Sequence, residues 1–322
     1  MENRSVLVVG GSGFIGSHVI AKMALTGCTV IVPTRHYARA AHLLEVPVVD
    51  DVVEADIHDD ATLERLLRDR DAVINLAGIL HGKPGPSGSR YGAEFAKAHV
   101  ELPRRIVAAC AAMGVPRYLH MSALGAAPDG PSMYLRSKGD GEAAAFSEAS
   151  VATTVFRPSV VFGDDDHFLN LFASLQKWLP VMALARANAR FQPVYVGDVA
   201  HAFVSALFDK RTYGKTYELG GPTVYTLREL VELAGAYSGH HRPVIGLPER
   251  LGRLEAWLLE HTGGGTLMSV DNLDSMVVDN VAHGPIAAEL GITDPTALEA
   301  VAPYYLQGKR PHGGLEGIQH PR

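Results

Sequence analysis

Read as a succession of apolar and polar positions, the chain opens on an unbroken aliphatic run, Val6-Leu7-Val8-Val9, closed by Gly10. A run this short, bounded by glycine, predicts a strand buried on both faces. Ser17 to Met23 follows with helical character, and the alternation then repeats down the chain. Strands are expected at Cys28–Val32, at Val48-Val49 and Val52-Val53 leading into Ala55-Asp56-Ile57, at Ala72–Gly78, at Arg117–Ser122, and at Thr153–Arg157, ended by Pro158. Between them lie helical patterns: Asp60–Leu67, capped and amphipathic, Ala93–Met113, long and bent at Pro103, and Met133 to Glu148. Buried strands alternating with helices predict a doubly wound parallel sheet of the Rossmann α/β type.

Beyond residue 160 the rhythm loosens. Helices are expected at Phe168–Trp178 and Asp198–Phe208, and short strands at Phe191–Val196 and Thr216–Leu219. Thr226-Leu227-Arg228-Glu229 is a capping box that starts one more helix. The pattern predicts a smaller α+β lobe over residues 161–307, for substrate or docking, with later strands returning to the sheet of residues 1–160. Residues 308–322, rich in Gly, Pro and His, read as a loose tail.

Where the first strand meets the first helix, Gly10, Gly13 and Gly16 stand at GxxGxxG spacing. A strand turning through glycines into a helix aims backbone N–H groups, and the positive end of the helix dipole, at one spot that suits a pyrophosphate. The strand before, the helix after and the alternation beyond make residues 1–160 a dinucleotide-binding domain. At the end of the second strand Thr34 takes the place of the carboxylate that would read an NAD ribose, and Arg35 follows. Arg35 is therefore expected to meet the 2′-phosphate of NADPH, with NADH as the alternative, and His36 and Arg39 lie near enough to assist. Ala77-Gly78 is a small pair past which a cofactor can run close to the backbone. The loop Gly82–Gly92 sits at a strand's carboxyl end, where open α/β sheets bind ligands.

Tyr134 and Lys138 are four residues apart and project from one helix face. Beside a nicotinamide, such a tyrosine passes a proton to a substrate oxygen while hydride moves to carbon, its pKa lowered by the ammonium and the nicotinamide charge. Ser122, from the preceding strand, is the candidate third hydroxyl. His120 reads as a satisfied core histidine, and Asp164-Asp165-Asp166 as a helix-capping turn rather than a metal cluster. No His/Cys spacing marks a metal site.

Composition then narrows the partners. A formal charge of −6 and the lack of a Lys/Arg block argue against nucleic acid as a main partner. The two cysteines, Cys28 and Cys110, fall in apolar elements and read as buried free thiols of a reducing compartment. No apolar run is long enough to cross a bilayer, and the first strand begins too early for a signal peptide. A soluble, cytoplasmic protein is expected, with peripheral attachment at the inner membrane left open.

As a set, GGSGFIG, Ala55–Ile57, NLAG at Asn75–Gly78, YLRSK at Tyr134–Lys138, RPSVVFG at Arg157–Gly163 and QPVYVGDVA at Gln192–Ala200 resemble the extended and atypical short-chain dehydrogenase/reductases. HMSALGA, FGDDDHFLNLFA and SMVVDNV resemble the branch of the nucleotide-binding accessory subunit of mitochondrial complex I and its bacterial relatives. The resemblance implies that Gly10, Gly13 and Gly16 hold the pyrophosphate, with Ser12, Phe14 and Ile15 shaping the turn. It implies adenine contacts for Asp56 and Ile57, ribose and nicotinamide contacts for Ala77 and Gly78, a nicotinamide-ribose grip for Tyr134 and Lys138, and a carboxamide neighbour in Pro158. One departure stands out: where extended enzymes usually carry the catalytic Ser or Thr, one place after Ser122, this chain has Ala123, with Ser132 as a substitute. Three readings follow: an NAD(P)H-dependent oxidoreductase with a quinone-related substrate, a cofactor-holding subunit of a respiratory or quinone-synthesising complex, and, behind both, a sugar-nucleotide epimerase or dehydratase.

Overall fold

The computed structural model describes residues 4–261 and 268–307; the tail expected at 308–322 lies outside the described residues. The chain runs β1 (Ser5–Val9), α1 (Phe14–Met23), β2 (Thr29–Thr34), the short α2 (Tyr37–Ala40), β3 (Val49–Glu54), α3 (Asp60–Leu67) and β4 (Ala72–Asn75). It continues through α4 (Ala93–Phe95), a π-helical stretch Ala96–Glu101, α5 (Leu102–Met113), β5 (Arg117–Met121), α6 (Met133–Ala145) and β6 (Ala152–Pro158). Then come β7 (Val161–Phe162), α7 (Leu169–Trp178), β8 (Met182–Ala185), β9 (Arg190–Phe191), β10 (Val194–Tyr195), α8 (Val196–Phe208) and β11 (Lys215–Leu219). The last elements are β12 (Tyr225–Thr226), α9 (Leu227–Ser238), β13 (Val244–Leu247), α10 (Glu249–His261), α11 (Val270–Ser275) and α12 (Leu298–Leu306).

Two compact units result. The first takes the chain up to Pro158 together with 197–218 and 286–293, and the second takes Ser159–Val196, Leu219–Pro285 and the residues from Asp294 on.

The first unit is built on a seven-stranded sheet of order β11-β6-β5-β4-β1-β2-β3, with β1 to β6 paired parallel throughout. Val6 to Val9 and Ala72 to Ile74 are fully buried, as runs covered on both faces must be. Strand order reverses between β1 and β4, which opens a crevice at their carboxyl ends. Two cations lie deep in this unit among its described residues, Arg117 and Lys138. Arg117 on β5 donates to the carbonyls of Ala152 and Ala206 and to the hydroxyls of Thr154 and Thr212, at 2.6–2.9 Å, and its guanidinium lies 4.5 Å from the centroid of the Tyr213 ring.

In the second unit β7 pairs β10 and β8 pairs β13, both parallel, while β9 pairs β12 antiparallel. Helices α7, α9 and α12 share a core that includes Phe172, Leu230, Val231, Ala234 and Ala302. Asp166 caps α7: its carboxylate accepts from the N–H groups of Gly163, Phe168, Leu169 and Asn170, and from the Tyr305 hydroxyl at 2.7 Å.

Four expected elements differ, the first being the strand expected at Phe191–Val196, which forms two, β9 and β10, on either side of Gln192-Pro193. The bend expected at Pro103 is absorbed upstream, as the π-helical stretch Ala96–Glu101. Pro103 has no N–H for the carbonyl four residues back, that of His99, and Gly141 lets α6 approach this carbonyl so closely that a Cβ would collide with it. Strand β3 stops at Glu54: Ala55 N–H still bonds the Thr34 carbonyl at 2.9 Å, but Asp56 turns the chain by accepting from His58 N–H at 2.9 Å. Strand β4 stops at Asn75, whose side-chain carbonyl takes the Ala77 N–H at 3.1 Å.

Candidate functional site

The expected site residues all fall within the first unit. At the end of β1, Gly10 has φ +79°, and a Cβ there would stand 2.9 Å from Ala77 N, so the β1 and β4 loops meet backbone to backbone. A Cβ on Gly16 would collide with the Gly10 carbonyl and the Gly11 backbone, which fixes the close turn. Helix α1 starts at Gly13 with no side-chain cap and no acid in its first turn, while Ser12 and Gly13 are exposed. Among the described residues, no side chain caps its first N–H groups. Phe14 and Ile15 are half-buried, Phe14 edge-on to His18 at 5.7 Å.

Around this turn, Arg35 is exposed and makes no ion pair among the described residues. Thr34 Oγ1 receives the His36 N–H at 3.2 Å, which shapes the turn that presents Arg35. Asp56 is exposed beside it, and Ile57 packs partly into the core under the sheet. Pro158 is buried, and its carbonyl takes the Leu124 N–H at 3.0 Å.

On α6, Lys138 is buried and its ammonium donates to the Met121 carbonyl at 3.1 Å. It also stands 3.3 Å from where a Gly78 Cβ would be, and 5.9 Å from the centroid of the Tyr134 ring. Tyr134, half-buried, meets His99 edge to face, centroids 5.6 Å apart. His99 Nε2 accepts from the Ile79 N–H at 3.1 Å, which leaves its proton on Nδ1, 2.8 Å from Ser137 Oγ. Glu142, one turn beyond Lys138, is held by Arg157 in a two-point ion pair, with Nε–Oε1 at 2.7 Å.

Burial dominates the electrostatics. It lowers Lys138 to about 8, against the opposing pull of Glu142. It lowers His99 to about 2 and His120 to about 3, with the Lys138 charge adding to both. In the protein alone burial pushes Tyr134 up to about 12; the expected lowering of the phenol is set by a bound nicotinamide as well as by Lys138.

The three candidate serine and alanine positions separate cleanly. Ser122 is buried and its hydroxyl has no hydrogen-bond partner. Ala123 is buried, and Ser132 caps α6 by accepting from the Leu135 N–H at 3.0 Å. His120 is buried but not satisfied, contrary to its reading as a core histidine: Asn75 Nδ2 approaches Nδ1 at 3.3 Å, while Nε2 has no partner.

These features fit a dinucleotide. The glycine turn is a cradle that side chains would fill, α1 offers uncapped donors, and two buried polar atoms, Ser122 Oγ and His120 Nε2, lack protein partners. Compared with known proteins, residues 6–220 match the model of the NAD dependent epimerase/dehydratase family. The chain belongs to that family. Among its relatives, the 40 kDa subunit of mitochondrial NADH-ubiquinone oxidoreductase of Neurospora crassa is 29% identical over 96% of this chain and 80% of its own length. The alpha subcomplex subunit 9 of mitochondrial NADH dehydrogenase [ubiquinone] 1 from Arabidopsis thaliana is 34% identical over 70% of this chain; the match spans 56% of that relative, under two thirds of its length. UDP-glucuronic acid 4-epimerase from Bacillus cereus, solved with UDP-glucuronic acid and NAD, shares the fold, with a TM-score of 0.73 at 17% identity, covering 94% of this chain and 99% of that one. The family's short-chain dehydrogenase/reductase character and doubly wound sheet are thus as the sequence motifs indicated.

Sequence reasoning missed three residues of this family member. Gly11, where a Cβ would press on Ile20 and Val32 at 3.0 Å, stands inside the quoted motif but outside its spacing. Asn75, which aims the β4 loop, and His99, which backs Tyr134, act through contacts 43 and 20 residues away in sequence, at Tyr118 and Ile79. Only the π-helical stretch preceding Pro103 marks His99, and no periodicity shows it.

Proposed function

We propose that this chain is a cofactor-holding protein of a respiratory complex, peripheral to the inner membrane, which retains NADPH rather than turning it over. The observation that carries the reading is the pair Ala123 and Ser132: one position offers only a buried methyl group, and the hydroxyl of the other is committed to the α6 N-cap. The relatives named as complex I subunits support the partner class. Gly10, Gly13 and Gly16 would hold the pyrophosphate, with Ser12, Phe14 and Ile15 in the turn; Arg35, exposed and in no ion pair among the described residues, would take the 2′-phosphate in preference to the bare ribose of NADH. Asp56 and Ile57 would border the adenine, Ala77 and Gly78 the ribose, Tyr134 and Lys138 the nicotinamide ribose, and Pro158 the carboxamide. Nicotinamide, when bound, supplies a hydride. What the chain's own residues do is orient and exclude water: Lys138 is fixed by the Met121 carbonyl, and Tyr134 stays a protonated hydroxyl donor.

A second reading, an NADPH-dependent reductase acting on a quinone-related carbonyl, is favoured by the unpartnered Ser122 hydroxyl beside an intact Tyr134 and Lys138. In it Tyr134 delivers the proton and Lys138 tunes it. Sugar-nucleotide epimerisation stands behind both, because Arg35 suits NADPH rather than a tightly held NAD.

The experiment is a titration of the purified protein with NADPH and NADH, followed by oxidation of bound NADPH against a panel of quinones and carbonyls, with Tyr134→Phe alongside. Binding with no turnover on any acceptor is expected. Turnover that collapses in Tyr134→Phe transfers the assignment to the reductase, and absence of binding to either nucleotide overturns both readings.

A further inference from the structure

Helix α10, in the second unit, wears its amphipathicity reversed. Its inward side is made of small residues: a Cβ on Gly252 would run into Ala185, and Ala256 is fully buried beside Ala185 and Leu273. At about 100° per residue, Leu251 and Leu254 fall on the opposite side. They are 53% and 52% exposed. The apolar surface extends beyond the helix. Strand β13 presents Ile245 at 53%, and Trp178, at the end of α7, is 85% exposed. These elements adjoin: Arg242, just before β13, donates from its N–H and Nε to Gln176 of α7, and Met182 N–H bonds the Pro243 carbonyl at 2.9 Å.

Charge around this surface runs against the rest of the protein. The chain carries a formal −6, yet residues 175–186 and 240–261 hold five cations, Lys177, Arg186, Arg242, Arg250 and Arg253, against three acids, Glu249, Glu255 and Glu260. Arg186 pairs with Glu249 and Arg253 with Asp274, whereas Lys177, Arg242 and Arg250 meet no carboxylate among the described residues. Large apolar side chains turned to water, a tryptophan among them, and bordered by unanswered cations are the composition of an interfacial helix: apolar groups enter the acyl boundary, and the cations meet phosphates.

We propose that the outer face of α10, with Trp178 and β13, is a docking surface for a bilayer of anionic phospholipids. This rests on the peripheral location in the proposed function but not on the cofactor. A protein partner is the competing occupant, and the same experiment separates the two.

The test is flotation of the full-length purified protein with vesicles of phosphatidylcholine alone or mixed with phosphatidylglycerol, at low and high salt. Flotation is expected with the anionic vesicles only and should fall as salt rises. Leu251→Glu/Leu254→Glu and Lys177→Glu/Arg250→Glu should each weaken it at least about tenfold, with melting temperature and NADPH binding unchanged. No flotation with either vesicle, equal flotation with both, or indifference to both double variants overturns the proposal. So does a purified protein partner or self-association that these variants abolish while vesicles are ignored. Flotation retained by a protein that binds no nucleotide would defeat the cofactor reading alone, and nucleotide binding without flotation would defeat this surface alone.

Discussion

The His99 imidazole stands edge-on to the Tyr134 ring, centroids 5.6 Å apart and planes at 81°, with both its nitrogens engaged by Ile79 and Ser137. The ring is thereby locked as a neutral wall beside the phenol. Burial, and then the Lys138 charge, hold it down to about 2.

An unfolded chain protonates this histidine near 6.5, so below that pH the unfolded state binds more protons than the folded one. The stability linked to neutral His99 is complete above that value and is lost as pH falls toward 2. Removing the group should flatten the acid limb. His99→Gln is expected to lose about 2 kcal/mol less than wild type between roughly pH 7 and pH 5. Chemical denaturation at both pH values checks this, and parallel limbs would contradict it.

Lys138 has the same sign in a more alkaline window. Its ammonium titrates near 8 in the folded protein and near 10.5 unfolded, so stability rises with pH between these values. Lys138→Met removes a buried charge and should be more stable than wild type at neutral pH by on the order of 2 kcal/mol, the gap closing as pH climbs through the window. The same variant should lose nucleotide binding. Melting curves across the window and a nucleotide titration measure both effects.

Gly16 and Gly13 should respond unequally to alanine. At Gly16 the methyl would collide with backbone, whereas at Gly13 its nearest neighbour is the Gly10 carbonyl at 3.3 Å. Gly16→Ala is expected to cost at least about 2 kcal/mol and to abolish nucleotide binding. Gly13→Ala should keep the fold within about 1 kcal/mol. Denaturation midpoints of the two variants decide it.

Arg35→Ala removes no ion pair among the described residues and should leave stability unchanged. NADPH affinity should fall roughly tenfold to a hundredfold, the worth of a charge-assisted contact to phosphate, with NADH affinity nearly constant. Equal losses for both nucleotides would remove Arg35 from the phosphate site.

The sheet was legible because its strands are short aliphatic runs whose burial on two faces leaves no other assignment. The glycine turn was legible because close backbone approach at Gly10 and Gly16 tolerates no side chain. What stayed hidden depended on distant contacts. Strands β8 and β13, four residues each, pair only with each other, and neither the buried run of β8 nor the half-exposed run of β13 separates them from loop in the sequence. The upward shift of Tyr134 and the unsatisfied His120 follow from burial, which no spacing reports. Pro103 showed that the long helix must yield, but not that it would yield upstream and place His99 against the phenol.

The buried guanidinium of Arg117 sets an order on biosynthesis. Two of its acceptors, the Ala206 carbonyl and the Thr212 hydroxyl, and the ring it stacks on, Tyr213, emerge from the ribosome some ninety residues after it. Until they arrive, a nascent amino-terminal half carries a cation with half of its acceptors, the Ala152 carbonyl and the Thr154 hydroxyl. A polypeptide cut at Pro158 should therefore remain a chaperone client, rescued by supplying residues 197–218 on a separate chain.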